Sequence, residues 1–329
     1  MRFGPVPLAE ALGGILAHRE TVSDGSLPKG HVLAEDDLAR LAAAGLVEVT
    51  VARLDPSDVG EDAAAATLAR TLIGGAPGLR LSVAATGRVN VIAEGPGLAA
   101  LDVAALHAVN RVDPMITVAT VPDLHRLDAG GLVATIKIIA YAVRQAHLDA
   151  ACAAGQAAIA LHRPRVDRVA LIETRIGRDL GDKGMRSLKT RLDRLGVGFA
   201  GRTVVNHEAQ AVAAALKSVD APLICILTGS ATSDLQDTAP QGLRLAGGTV
   251  DHFGMPVDPG NLLFLGHLDG RPVVGLPGCA RSPALNGADW VLERLLCGLA
   301  VTPADICAMG VGGLLKEIPS RPRPRRAAG

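Results

Sequence analysis

The chain has 329 residues and balances 33 Lys and Arg against 33 Asp and Glu, so its formal charge at pH 7 is zero and it lacks the basic footprint of a nucleic-acid binder. Aromatics make up only 2% of residues, which also removes the stacking platforms that hold single strands, whereas 49% are apolar, wrong for a disordered chain and enough for several cores. No window of about 18 apolar residues appears, and the start, "MRFGPVPLAEALG", has no basic region followed by an apolar core and a cleavage site, so a cytoplasmic protein with no membrane partner is expected.

Residues 1–60 read as a small α/β unit: a turn at Pro28-Lys29-Gly30, an acidic helix start at Glu35-Asp36-Asp37, an Ala/Leu helix ending at Gly45, and an alternating strand from Val47 to Val51. Residues 61–164 read as α+β. They open with an alanine-rich helix and continue through "LRLSVAATGRVNVIAE", "MITVATV" and "GGLVATIKIIAYAV", punctuated by glycine and proline, with a helix predicted from Tyr141 to about Ala158 and a linker at "HRPRVDR".

Residues 165–315 are the most regular. Strand "RVALIET" precedes helix "MRSLKTRLDRLG", helix "EAQAVAAALKSV" precedes strand "PLICILTG", "TAPQGLRLAGG" follows as a helix, and strand "PVVGLPG" leads to a helix over "SPALNGADWVLERLLCGL". Strands alternating with amphipathic helices at this spacing predict an α/β fold with a mostly parallel, doubly wound sheet. Residues 316–329, "SRPRPRRAAG" from Ser320 onward, are basic and proline-rich, a solvated end or a linker. The five cysteines form no CxxC pair, which supports neither a zinc site nor a disulfide framework and fits a reducing compartment.

In such sheets ligands bind beyond the carboxyl ends of the strands. Thr228-Gly229-Ser230 and Gly275-Leu276-Pro277-Gly278 both end apolar strands there, and both read either as plain strand-to-helix turns or as a cradle of amides and hydroxyls for a phosphate or polar heterocycle. Ser282-Pro283 reads as a helix start. Asp234 and Asp237 follow the first loop; Asp237 is either the N-cap of the next helix or a carboxylate that positions a metal or a substrate group. No GxxxxGK[ST] and no GxGxxG opening a helix is present, so neither a P-loop nor the usual dinucleotide fingerprint applies.

Four elements in order then suggest a family: Asp182-Lys183-Gly184, Thr228-Gly229-Ser230 with Asp237, "GGTVDHFGMPVDPGNLLFLG", and "GLPGCARS" in place of GLPGNPxS. Residues 165–315 resemble the MoaB/Mog-like molybdopterin-binding domain shared by molybdopterin adenylyltransferases, molybdenumtransferases and gephyrin, and "LPKGHVLAEDDLARLAAAGLVEV" is similar to a segment outside that domain in molybdenumtransferases. The whole chain resembles the molybdopterin-binding half of bacterial proteins that continue into a nucleotidyltransferase domain. The resemblance implies a Rossmann-like fold and a ligand that is molybdopterin or the molybdenum cofactor, with ATP as a second ligand and magnesium as the metal. It implies an adenylyl- or molybdenum-transferase-like activity in molybdenum cofactor biosynthesis, a homo-oligomer, and a molybdoenzyme or nucleotidyltransferase as partner. By the same resemblance Thr228, Gly229, Ser230 and Asp182 belong to the pterin and phosphate cradle, Gly278 and Ser282 to the facing loop, and Asp237 to the catalytic, metal-binding carboxylate.

The departures from the family pattern point one way. His207 stands where the family has a second acidic residue, Asp258 and Asn261 stand where molybdenumtransferases have lysines, and Ser230 replaces a third glycine. Imidazole is a poor substitute for a hard oxygen ligand of magnesium, and without the lysines the positive charge that would hold molybdate is lost. Cofactor binding is therefore expected ahead of catalysis. A non-catalytic carrier or sensor and a nucleotide-derivative hydrolase on the same fold are the alternatives.

Overall fold

The computed structural model describes residues 1–177 and 181–315; the tail singled out above lies outside them. The chain forms two compact units, one of residues 1–95 with 99–161, the other of residues 96–98 with the chain from His162 onward. None of the described helices is long and apolar enough to cross a membrane.

The first unit holds two cores. In the N-terminal one, strand Arg2–Pro7 pairs antiparallel with Glu48–Arg53, and helix Glu35–Ala43 helps cover a cluster that includes Leu16, Leu33, Leu41 and Val51. In the other, helix Glu61–Ile73 packs through Leu68 and Leu72 on an antiparallel sheet that includes Arg88–Ala93, Leu132–Ile138 and Ile116–Thr120. The helix expected from Tyr141 starts later. Ala142–Arg144 is a strand paired with Asp58–Gly60, and the helix runs only from Gln145 to Ala154. Pairing that buries Ala142 and Val143 outweighs the helical preference of an alanine-rich stretch.

In the second unit the chain order is β1 (Arg168–Arg175), α1 (Lys183–Asp193), β2 (Gly198–Asn206), α2 (Ala209–Ser218), β3 (Leu223–Leu227), α3 (Thr238–Ala246), β4 (Thr249–Phe253), β5 (Phe264–Leu268), β6 (Arg271–Leu276), α4 (Gly287–Leu296) and α5 (Pro303–Ala308). The sheet order is β2-β1-β3-β6-β5-β4. The first four strands are parallel and the last two join antiparallel, so the sheet is mixed.

β3 is buried along its whole length because successive side chains point to opposite faces and both faces are covered. Leu223, Cys225 and Leu227 meet Leu188, Leu192, Val291 and Leu295 from α1 and α4, while Ile224 and Ile226 meet Val212, Leu216, Ala239 and Leu243 from α2 and α3. Burial pushes the Cys225 thiol up to about 12 and that of Cys297 to about 11, so both are packing groups rather than nucleophiles.

The last long helix does not begin at Ser282. Residues Gly278–Arg281 form a single 3-10 turn and α4 opens at Gly287, capped by Asn286, whose side chain accepts from the Ala288 amide while Asp289 accepts from the Asn286 amide at 2.7 Å. A reciprocal box of this kind satisfies two free amides at once and outcompetes the single hydroxyl of Ser282. Ser282 instead accepts from the Ala284 amide at 3.3 Å within the preceding loop.

Candidate functional site

Parallel strands β1, β3 and β6 end side by side, so the loops that leave them meet on one rim. A cavity of about 290 Å³ lies there, walled by Ala231 from the loop after β3, by residues 258–262, and by Pro277, Gly278 and Cys279 after β6. Asp258 and Asn261 are part of its wall. Gly278 is exposed and open: a Cβ placed on it would have Arg281 Nη1 at 3.8 Å as its nearest neighbour.

The other sequence-predicted residues do not line this cavity. Thr228 is buried; its hydroxyl donates to the Ser230 carbonyl at 2.5 Å and sits 3.1 Å from the Thr232 hydroxyl. Gly229 is required by a close approach, since a Cβ there would lie 2.8 Å from the Thr174 carbonyl, and its amide donates to the Thr174 hydroxyl at 2.8 Å. That hydroxyl is also 2.8 Å from His207 Nδ1, so His207 supports the loop. Thr228 and Gly229 thus shape the turn, and Ser230 alone of the three is exposed. Gly229→Ala is expected to cost about 1–3 kcal/mol because backbone must yield, while Gly278→Ala leaves stability unchanged; urea denaturation of both variants checks this, and equal stabilities would contradict it.

Asp237 is the N-cap of α3. Its Oδ1 accepts from the Thr238 amide at 2.6 Å and its Oδ2 from the Ser233 amide at 3.1 Å, so each carboxylate oxygen takes one backbone amide. No group of three or more His, Cys, Asp or Glu side chains able to hold a metal ion occurs among the described residues. Asp182 precedes α1 and takes Arg202 Nη1 at 3.1 Å.

Charged groups that the sequence did not single out organise the rim. Glu173, near the carboxyl end of β1, is fully buried, its Oε2 is paired with Arg202 Nε, and its Oε1 accepts no hydrogen bond among the described residues. Burial pushes its carboxyl above the usual range, and Arg202 and Arg281 pull it partly back. Gly184, in the first turn of α1, leaves room for this carboxylate, which a Cβ there would overlap. Arg281 donates to the Thr228 carbonyl at 2.7 Å, tying the loop after β6 to the loop after β3. Beneath them Arg191, buried in α1, donates to Asp289, to the Ser187 hydroxyl, and to the carbonyls of Ala280 (3.0 Å), Ser282 (2.8 Å) and Ala284 (3.2 Å). One guanidinium therefore pins the segment 280–284 beside the cavity wall. The local signal for Glu173 was a carboxylate closing an apolar strand; nothing local marks Arg191.

Fold and site together define an α/β unit with a loop-built cavity on the carboxyl rim of its sheet. A family model described as a domain of unknown function (DUF8806) matches residues 5–53, in the first unit. No curated protein matches the chain. Among solved structures, a molybdopterin biosynthesis MoeA protein from Pyrococcus horikosii is 14% identical over 90% of this chain and 75% of its own, with a TM-score of 0.32. A molybdenum cofactor biosynthesis protein from Pyrococcus furiosus is also 14% identical, covering 91% of this chain and 64% of its own, with a TM-score of 0.24. TM-scores of this size do not establish a common fold.

Proposed function

We propose that the rim cavity of the second unit binds molybdopterin or the molybdenum cofactor, and that the protein serves molybdenum cofactor biosynthesis or delivery. One observation carries the reading: the loops bearing three of the four ordered sequence motifs, after β3, at 258–262 and after β6, converge on a single cavity of about 290 Å³. Uncovered backbone at Gly278 and the polar groups of Asp258 and Asn261 suit a heterocycle rich in hydrogen-bonding edges. The proposed role is binding rather than transfer, because Asp237 is engaged as a helix cap and the lysines expected beside molybdate are Asp258 and Asn261.

Equilibrium dialysis of the purified chain against molybdopterin tests this. Binding without ATP turnover supports the carrier reading. Transfer of an adenylyl group or molybdate that is lost in Asp237→Asn, a variant that keeps a capping side chain, would replace it with the enzymatic one.

A further inference from the structure

The first unit has a cavity of its own, of about 340 Å³, lined by Lys29, Glu61, Thr86, Lys137, Ile139 and Tyr141. This volume is within the range used by small-molecule sites. Its wall is fixed. The Tyr141 hydroxyl donates to the Ala17 carbonyl at 3.1 Å, and its ring stacks with Phe3 at a centroid separation of 6.5 Å. Thr86 is held at a φ of 50°, a left-handed conformation that costs a β-branched residue about 1–3 kcal/mol. The turn is clamped there: the Gly87 amide donates to Asp62 at 2.6 Å, and the Ile138 amide donates to the Gly87 carbonyl at 2.8 Å. Lys137 donates to the Thr86 carbonyl, so this strained turn aims one ammonium group at the cavity wall.

The charge in this cavity is unbalanced. Two ammonium groups face one carboxylate, Glu61, which lies 3.8 Å from Lys137 and whose carboxyl is pushed up by burial. Lys29 stands 5.6 Å from the centroid of the Tyr141 ring, and among the described residues its ammonium makes no hydrogen bond or ion pair. Beside these groups Ile139 is 55% exposed, an apolar surface next to uncompensated positive charge.

We propose that this cavity binds a small organic anion, with Lys29 and Lys137 taking its phosphate or carboxylate and Ile139 and Tyr141 taking its apolar body. The site is independent of the rim cavity, since all its residues belong to the first unit.

The test is calorimetric titration of the full chain with phenyl phosphate and with benzoate, beside inorganic phosphate. At least one organic anion binds at millimolar concentration or below, and more tightly than inorganic phosphate; which of the two binds better assigns the charged end. Lys29→Gln weakens that binding about tenfold or more and Lys29→Arg restores it, because one charge-assisted contact is lost and regained. Lys29 sits exposed on a turn, so thermal denaturation should show the variants folded like the parent. Failure of both organic anions to bind, equal affinity in Lys29→Gln, or inorganic phosphate binding as tightly as the better of the two organic anions would overturn the proposal.

Discussion

Arg191→Met is expected to lower the unfolding free energy by about 3–5 kcal/mol, because removing one member of a buried ion pair leaves the other charged and without its partner. Both side chains are buried, Arg191 at 6% and Asp289 at 2% exposure, so water cannot replace the lost guanidinium. The same guanidinium also donates to the carbonyls of Ala280, Ser282 and Ala284; the first keeps the Ser187 hydroxyl and the last the Asn286 side chain, whereas the Ser282 carbonyl loses the donor it has in Arg191. Adding Asp289→Asn recovers part of the loss by removing the stranded charge, while keeping an acceptor for the α4 cap. Urea denaturation of the single and double variants measures both effects. A loss under about 1 kcal/mol in Arg191→Met would mean that segment 280–284 does not depend on this anchor.

The second large effect is expected at Arg202, and it depends on pH. The Glu173 carboxyl has its folded-state value raised by burial, so its native form binds protons more readily than the unfolded chain does. Stability from this group is therefore fully present below the ordinary carboxylate range and is lost as pH rises through the raised value. Arg202 is the strongest opposing influence, so Arg202→Met raises that value further and strands a buried carboxylate near neutrality. At pH 7 the variant should lose about 3–5 kcal/mol. At a second, more acidic pH the deficit shrinks, because the raised carboxyl takes up its proton earlier than an ordinary one and the stranded charge disappears. Denaturation at the two values distinguishes this from a simple packing defect, for which the deficit would be the same at both.

Much of the second unit was legible in the sequence because its order is local. The run Leu223–Leu227 reads as a strand buried on both faces, and Gly247 at a φ of 98° ends α3 where the double glycine indicated a stop. The antiparallel pair β4 and β5 was not legible: strand direction at a sheet edge is set by pairing partners, and "GGTVDHFGMPVDPGNLLFLG" carries no periodicity that reports it. The same contrast holds at the site. Gly278, Asp258 and Asn261 stand out in short motifs and the fold gathers them around one cavity. Arg191 and Asp289 are 98 positions apart, and Arg281 reaches Thr228 across 53, so their partners emerge only from tertiary packing. The glycine at 229 was legible for a different reason from the one that holds: its amide is committed to Thr174, and its missing side chain makes room for backbone rather than for a ligand.

The most direct test of the proposed function is the affinity of the full chain for molybdopterin beside that of Gly278→Trp. The indole would extend from an exposed position on the cavity wall, where a Cβ meets nothing closer than 3.8 Å, so it should fill the site without disturbing the core. The expected result is micromolar or tighter binding by the parent, weakened about 100-fold or more in the variant, with an unchanged midpoint of thermal unfolding. Undiminished binding by Gly278→Trp would place the ligand elsewhere, and no binding by the parent at millimolar concentration would contradict the proposed function itself.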